Sequence, residues 1–352
     1  MSFAATLGLV ALVQIGMPRL FATPDSSTAT KLAMWGGREM VTLVLASLVA
    51  GFATTPYAAF HFHRVTPYGV LANLAAMPVV SALVMPAGML GLLAVPFGFD
   101  GFFWWLMGIG IDWMIAVTRW VANLPGAVGR MAAFGTGPLI MASLGIVLMG
   151  LLRTRLRWSG AIVLLAATVW AVASPQPDIL VSGDAHNVAV RGADGRLHVM
   201  RSGKDTFLLK EWLAADADAR QVVDATLEEG VSCDDSGCVA PLADGRFVAS
   251  SLRSDALSDD CERAALIVTA RQAAANCGAA VIDLLRLRRQ GALVLWRKSD
   301  GFTVDAVRPT GFDRPWSPAP SGEAERDESS LLQPRRVPQD ATPPESDLQP
   351  DD

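Results

Sequence analysis

Long apolar runs occupy the first half of the chain and end near Ser174. A run of about 20 apolar residues is long enough to cross a bilayer, and it must be helical because a helix satisfies its own backbone hydrogen bonds in lipid. The pattern therefore predicts a polytopic α-helical membrane domain over residues 1–174. The six predicted spans are residues 2–16, 40–60, 69–95, 102–124, 138–152 and 158–173.

The third predicted span contains two prolines, Pro78 and Pro86. Proline inside a helix removes a backbone donor and kinks or breaks the helix. This run therefore predicts either one kinked helix or two short segments that form a re-entrant hairpin, and the sequence leaves both open.

After residue 174 the pattern changes to short apolar segments separated by turn residues. Strands are predicted at residues 178–182, 187–190 and 196–201, the last after the turn pair Asp194-Gly195, and a helix at 206–216. These elements predict a soluble α/β or α+β domain over residues 175–316. Residues 317–352 are acidic and rich in proline, with few apolar side chains, which predicts a disordered tail.

Composition supports this division, since 51% of the residues are hydrophobic and 18% are charged, against about 25% charged in a typical soluble domain. The net charge of −5 comes largely from the C-terminal region. The chain as a whole therefore lacks the basic field of a strong nucleic-acid binder, although weak binding by a local basic patch stays open.

Basic loops between the spans predict the orientation of the chain. The strongest contains Arg153, Arg155 and Arg157, and a second is formed by residues 19–38. Loops rich in arginine and lysine face the cytoplasm, and both loops fall on that side if the third span crosses once. The sixth span would then place residues 175–352 in the periplasm or outside the cell.

All four cysteines lie in this outward-facing region, as the pairs Cys233-x4-Cys238 and Cys261-x15-Cys277. Neither pair has a histidine nearby or the C-x2-C spacing typical of zinc sites. An oxidising compartment favours disulfides. Three pairings are possible, and bonds between sequence neighbours are the simplest.

The fourth predicted span contains two ionisable residues, Asp112 and Arg119, whose spacing of seven puts them on one helix face. Charged groups within a span usually face the bundle interior or water. Arg119 has the alternative of reaching the membrane interface. Four tryptophans of the same span favour packing and interfacial roles over stacking on nucleic-acid bases: Trp104, Trp105, Trp113 and Trp120.

The four histidines predict no metal site. His61 and His63 form an H-x-H motif at the end of a span, where interfacial anchoring is the favoured interpretation. His186 and His198 stand alone in the soluble region and are interpreted as surface residues.

The run from Thr54-Thr55-Pro56-Tyr57 through Phe60-His-Phe-His-Arg-Val-Thr-Pro-Tyr-Gly-Val-Leu-Ala-Asn73 to Pro78 resembles the competence domain of the ComEC family. The opening Ser2-Phe-Ala-Ala-Thr-Leu-Gly-Leu resembles a second family element, and together the resemblance covers about residues 2–173. It implies a place in the multi-pass bacterial inner membrane, as part of a channel for uptake of single-stranded DNA during natural transformation.

For such a channel we predict Pro56, Asn73 and Pro78 as structural elements near the pore and Asp112 as a polar lining. Asn73 has the alternative of only joining two helices by a hydrogen bond. The predicted partners are single-stranded DNA, the lipid bilayer and other competence proteins. These include a separate ATP-driven motor, because the chain has no G-x-x-x-x-G-K-[ST] loop. Homo-oligomerisation stays open.

Members of this family often end in a metallo-β-lactamase-like domain, whose chemistry needs an H-x-H-x-D-H metal cluster. Residues 175–316 contain only His186 and His198, so no catalytic residue, metal or cofactor is predicted and the chain is not expected to be an enzyme. Members also carry an N-terminal soluble domain and earlier helices, which suggests a fragment. The alternatives are a membrane-tethered periplasmic hydrolase, a small-solute transporter and an inactive truncated product.

Overall fold

The computed structural model describes residues 1–15, 28–201, 205–271, 277–299, 301–309, 316 and 331–332. The chain divides into two compact units. The membrane unit comprises Met1–Pro175 with Ala214–Ala219, and the soluble unit comprises Gln176–Leu213 with Arg220–Asp352.

Helices make up most of the described part of the membrane unit. They are α1 Ser2–Ile15, α2 Thr28–Phe62, α3 Gly69–Val79, α4 Met85–Ala94, α5 Asp100–Ala122, α6 Thr136–Leu151 and α7 Arg157–Val172. Within the described residues, three segments are long and apolar enough to cross a membrane: Val41–Phe62, Gly69–Phe97 and Asp100–Ala122.

Three further apolar helices are shorter: Ser2–Gln14, Thr136–Leu151 and Arg157–Val172. A helix of 16 residues, such as α6 or α7, rises about 24 Å, against a hydrocarbon core of about 30 Å. The structure thus supports a membrane protein with three segments of spanning length, and the prediction of six spans is supported only in part.

The third apolar segment is one continuous helical run, so the alternative of a re-entrant hairpin is wrong. A π-helical turn at Val80–Val84 joins α3 to α4, and a 3₁₀ turn at Val95–Phe97 follows. The Met85 amide donates to the Val80 carbonyl, five residues back. The wider turn suits Pro86, which has no amide to donate and whose ring would crowd the carbonyl of an ordinary α-helical turn.

Glycines bring α6 and α7 into close contact. A Cβ atom on Gly160 would lie 2.6 Å from the Gly145 carbonyl oxygen, and one on Gly145 would lie 2.7 Å from Leu164 Cγ. The buried side chains here are Ala142, Ile146, Leu164 and Ala167. Small residues allow such backbone approach, which drives helix association where lipid removes the hydrophobic force.

The same kind of contact attaches α1 to its neighbours. A Cβ on Gly8 would lie 2.9 Å from Val49 Cγ1 of α2, and one on Gly150 of α6 would lie 3.1 Å from Leu7 Cγ. A second group is formed by α3, α4 and α5, where a Cβ on Gly110 would lie 2.6 Å from Val84 Cγ2. Helix α5 therefore packs directly on the π-helical turn.

Two short strands join the loops of this unit. Strand β1 (Arg64–Val65) follows α2 and pairs antiparallel with β2 (Gly129–Arg130), which precedes α6. The Tyr68 hydroxyl donates to the Pro125 carbonyl at 3.0 Å. These contacts connect the loop between α2 and α3 to the loop between α5 and α6.

The described residues of the soluble unit form two sheets and three α-helices. The strands are β3 Ile179–Val181, β4 Asn187–Arg191, β5 Leu197–Arg201, β6 Ser232–Cys233, β7 Gly237–Pro241, β8 Phe247–Ser251, β9 Leu266–Thr269, β10 Ala280–Ile282, β11 Leu293–Lys298, β12 Gly301–Ala306 and β13 Leu331–Leu332. The helices are α8 Thr206–Ala215, α9 Ala256–Arg263 and α10 Leu284–Gln290.

The first sheet has the order β13-β12-β11-β3-β4-β5 and the second the order β10-β9-β8-β7-β6. The first is antiparallel throughout, whereas β8, β9 and β10 are parallel to one another. This mixture confirms a sheet-containing α/β region after the membrane helices.

Within the predicted disordered tail the structure describes only Leu331–Leu332, which pair with β12. Residues 317–330 and 333–352 lie outside the described residues.

Alternation along the strands builds a four-layer arrangement. Ile179 and Val181 of β3 share a core with Val248 of β8 and Leu266 of β9, so this core lies between the sheets. Leu180 faces the opposite way and packs with Leu209 and Leu213 of α8. On the second sheet, Ala249 and Ile267 face α9. Each sheet thus has one face on its partner and one on a helix.

Candidate functional site

Threonine hydroxyls supplement the backbone bonds of α2 just before Pro56. Thr54 Oγ1 donates to the Ala50 carbonyl at 2.9 Å, and Thr55 Oγ1 donates to the Gly51 carbonyl at 2.7 Å. Pro56 lies inside the helix and supplies no amide to the turn below it. Hydroxyl bonds of this kind satisfy polar groups within an apolar helix and favour a local bend.

The next residue connects α2 to α6. The Tyr57 hydroxyl donates to Ser143 Oγ at 2.9 Å. The Ser143 hydroxyl in turn donates to the Leu139 carbonyl at 2.8 Å. Both side chains are partly buried. The Thr-Thr-Pro-Tyr sequence thus satisfies its own polar groups and forms a hydrogen-bonded chain to a second helix.

Asn73 and Pro78 both lie on α3 and are exposed. The Asn73 side chain makes no hydrogen bond to any described residue. The bond that joins α3 to α5 comes instead from Trp113, whose indole Nε1 donates to the Ala75 carbonyl at 3.2 Å. A tryptophan therefore makes the interhelical bond for which Asn73 was one sequence candidate.

Asp112 and Arg119 lie on α5 and are both exposed. Their separation along the axis is about 10 Å, too far for a direct ion pair. Neither side chain bonds or pairs with another residue in the described part of the chain. The roles of Pro56, Asn73, Pro78 and Asp112 near a pore therefore stay predictions.

Two of the four tryptophans on α5 contribute to packing. Besides Trp113, Trp104 donates from Nε1 to Asp100 Oδ2 at 3.0 Å, and its ring lies 3.3 Å from where a Cβ on Gly91 would be. Trp105 and Trp120 are 62% and 53% exposed. Exposed aromatic side chains on an apolar helix suit contact with lipid or its interface.

The H-x-H motif closes α2. His63 has a positive φ of 54°, and its amide donates to the Ala59 carbonyl at 3.0 Å, which forms a left-handed helix cap. The His63 carbonyl accepts from the Met131 amide at 3.1 Å. Among the described residues, no group of three or more His, Cys, Asp or Glu side chains could hold a metal ion.

The four cysteines form two disulfides between sequence neighbours. Cys233–Cys238 joins directly paired residues of β6 and β7. Cys261–Cys277 ties the end of α9 to the segment before β10, and Cys277 is buried. In the chain-entropy treatment these closures contribute about 2 and about 3 kcal/mol respectively. Both bonds therefore stabilise the second sheet and its helix.

His186 and His198 each lie close to an aspartate. Partial burial raises the pKa of Asp184, but hydrogen bonds from the Ser182 hydroxyl and the His186 amide outweigh it, so the pKa lies below its ordinary value. His198 Nε2 lies 3.1 Å from Asp194 Oδ1 at the β4–β5 turn. Gly192, in the same turn, lies beside the His198 ring. The contacts of Asp184 with His186 and of Asp194 with His198 therefore each stabilise a turn.

A groove with a basic lining lies at the ends of β8 and β11. It has a volume of about 560 Å³ and is lined by Asp244, Arg246, Arg297, Lys298 and Ser299. Three cationic side chains thus surround one carboxylate. Arg246 Nη2 pairs with Asp244 Oδ2 at 2.8 Å, and its guanidinium lies 5.5 Å from the centre of the Phe302 ring.

Arg297 is shared between two carboxylates at longer distances, 3.5 Å to Asp244 and 3.6 Å to Asp178. Burial raises the pKa of Asp244, but bonds and charge from Arg246, with charge from Arg297, hold it below its ordinary value. The sequence left a local basic patch open but did not locate this groove. The groove joins a turn near Asp244 to a strand end some fifty residues later.

Residues 1–156 match the Competence protein family. No curated protein and no solved structure matches the chain. The matched residues include α1 through α6 and contain Pro56, Asn73, Pro78 and Asp112. The soluble unit lies beyond them. Residues 1–156 are therefore a domain of the Competence protein family, which supports a role for this chain in DNA uptake for competence.

Proposed function

We propose that this chain is part of an inner-membrane channel that takes up single-stranded DNA during natural transformation. The observation that carries the proposal is the family match over residues 1–156. The three helical segments of spanning length and the polar groups on them support it.

The proposed conducting path runs along α3 and α5. Asp112 and Asn73 are polar side chains without bonds to other described residues, on two helices that Trp113 ties together. Polar groups on spanning helices are costly in lipid and mark water-filled paths. We assign Asp112 as a lining group of that path, with Pro56 and Pro78 shaping the helices beside it.

The proposed orientation follows the basic loop of Arg153, Arg155 and Arg157, which faces the cytoplasm. The soluble unit then lies in the periplasm, where the two disulfides are stable. In this arrangement the groove of Arg246, Arg297 and Lys298 contacts phosphates of incoming DNA rather than cleaving them. Energy for transport comes from a separate ATP-driven partner.

Transformation frequency tests the proposal. In a naturally transformable host that lacks only this gene, we expect uptake of labelled DNA into a nuclease-resistant form to be lost and restored by the intact gene. Electroporation of the same DNA controls for recombination. Wild-type uptake in the deletion strain would contradict the proposal.

Substitution of one carboxylate tests the proposed path. Asp112→Asn is expected to reduce uptake strongly at unchanged protein level. Asp100→Asn is the matched control on the same helix, because Asp100 already accepts a hydrogen bond from Trp104. Equal uptake by the two variants would remove Asp112 from the path.

A further inference from the structure

A cavity of about 240 Å³ opens within the membrane unit where the ends of α1, α6 and α7 meet. One part of its wall is apolar and includes Ala11, Met149 and Leu152. The other part is polar and consists of Gln14, Arg153 and Arg157. The cavity thus has an apolar wall on one side and a polar, cationic wall on the other.

The cavity lies where α1 and α6 end and α7 begins. Gly150 holds α6 close to α1, since a Cβ there would lie 3.1 Å from Leu7 Cγ. Just beyond that contact α6 ends at Leu151, and α7 begins only at Arg157. The turn between the two helices carries Arg153 to the mouth of the cavity, where its Nη2 donates to Gln14 Oε1 at 3.4 Å.

The described residues that line the cavity leave its positive charge without a carboxylate partner. None of the described residues that line it is acidic. Arg157 makes no side-chain hydrogen bond or ion pair with a described residue, and the bond of Arg153 to Gln14 is long. A guanidinium offers five donors in a planar fork that fits phosphate oxygens. Two such groups at one opening are suited to an anionic ligand with a phosphate.

The surroundings of the cavity favour a lipid as the source of that phosphate. Leu151, Leu156 and Trp158 flank the two arginines in sequence and are 64%, 63% and 66% exposed. Large exposed apolar side chains beside a basic loop suit the boundary between hydrocarbon and headgroups. Basic pockets between helices on the cytoplasmic side are known to take anionic headgroups.

We propose that this cavity binds the phosphate headgroup of an anionic phospholipid, with Arg153 and Arg157 as the phosphate ligands. The glycerol end of the lipid lies against Ala11, Met149 and Leu152. This site does not depend on DNA uptake, since its ligand is a component of the membrane.

Lipid binding by the purified full chain in neutral detergent tests the proposal. The probe is phosphatidylglycerol, with phosphatidylcholine of the same acyl chains as the uncharged comparison, and the readout is the bound fraction in native mass spectrometry. Because each arginine near a lipid surface contributes about fivefold in affinity, Arg153→Gln with Arg157→Gln is expected to weaken phosphatidylglycerol binding about 25-fold. Each single variant, Arg153→Gln or Arg157→Gln, is expected to weaken binding about fivefold. The matched control for these single variants is Arg155→Gln, which also removes one charge from the region between α6 and α7 but none from the cavity lining.

A second variant leaves the charge intact. Ala11→Phe fills the apolar part of the cavity, and it is expected to reduce phosphatidylglycerol binding while both arginines remain. This variant carries the test if the double arginine variant fails to fold, as judged by its lipid-free melting temperature. A loss in Arg155→Gln equal to that in the single variants Arg153→Gln and Arg157→Gln would overturn the site in favour of general surface attraction.

Two competitors distinguish the sources of phosphate. Inorganic phosphate and a short single-stranded oligonucleotide are each added at the concentration of the lipid. Retention of phosphatidylglycerol against both supports the lipid site. Displacement by inorganic phosphate would overturn the lipid as ligand, and displacement by the oligonucleotide would assign the arginines to nucleic acid.

Discussion

The membrane unit and the soluble unit hold their elements together by different means. In the membrane unit, glycines let backbones approach until a single Cβ atom would collide, as at Gly145 and Gly160. In the soluble unit, larger side chains such as Ile179, Leu266 and Phe302 fill the space between two sheets. The difference follows from the solvent, because burial of apolar surface drives association in water but not in lipid.

This comparison predicts that the two units are destabilised by different substitutions: the membrane unit by larger side chains at its packed glycines, and the soluble unit by changes in its core or its disulfides. Hydrogen–deuterium exchange of the full chain reads the two units separately through their peptides.

Loss of Cys261–Cys277, the disulfide that closes the longer loop, is expected to have the largest effect. That effect is expected to be confined to the soluble unit. Cys261→Ser with Cys277→Ser removes a closure that contributes about 3 kcal/mol and places a hydroxyl at a buried position. Exchange should increase in β8, β9 and α9 and stay unchanged in α6 and α7. Faster exchange in the membrane helices would mean that the two units are not independent.

Gly160→Ala is expected to destabilise the membrane unit by about 2 kcal/mol, because its methyl group meets the Gly145 carbonyl in a packed interface. The melting temperature in detergent should fall, and exchange should rise in α6 and α7. Gly108→Ala is the matched control, since a Cβ there meets nothing within 4 Å. Equal melting temperatures in these two variants would refute close packing of α6 on α7.

Removal of the Tyr57 hydroxyl should have a smaller effect on the membrane unit. Tyr57→Phe deletes the donor to Ser143 but keeps the ring, so we expect a loss of about 1 kcal/mol. Ser143 keeps its bond to the Leu139 carbonyl, which limits the cost. A double-mutant cycle with Ser143→Ala measures the coupling, and a coupling near zero would show that the two hydroxyls act separately.

Acidification is expected to destabilise the soluble unit. The pKa values of Asp184 and Asp244 lie below the ordinary value of 3.8 in the folded chain. Their ionised forms therefore stabilise folding above that value, and the contribution is lost as the pH falls through the lowered pKa values. Exchange in the soluble unit, expressed relative to the intrinsic amide exchange rate at each pH, should rise below about pH 4, and less so in Asp244→Asn.

The sequence was enough to predict the features that depend on local pattern. The apolar runs located the helices, and short apolar segments separated by turn residues located β3, β4 and β5. Of the three possible cysteine pairings, the simplest, between sequence neighbours, is the one that the structure contains. The motif around Pro56 and Asn73 indicated the family over residues 1–156.

Features that depend on distant partners were beyond such reasoning. Nothing in the local sequence indicates that Gly145 faces Gly160, or that Arg297 lies beside Asp244. Packing and interfacial roles were predicted for the four tryptophans together, but the bond of Trp113 to the Ala75 carbonyl depends on how α5 lies against α3. Pro78 and Pro86 indicated a kink or break between residues 69 and 95. They did not indicate that a π-helical turn at Val80–Val84 would keep the helix continuous.

That wider turn between α3 and α4 changes the angular phase of the helix. A π-helical turn takes one residue more than an α-helical turn, which offsets the following residues by about 100° around the axis. A helical wheel drawn at uniform pitch over Gly69–Phe97 would therefore place the residues of α4 on the wrong sides. Any choice of pore-facing or lipid-facing positions beyond Met85 has to be counted from the far end of that turn.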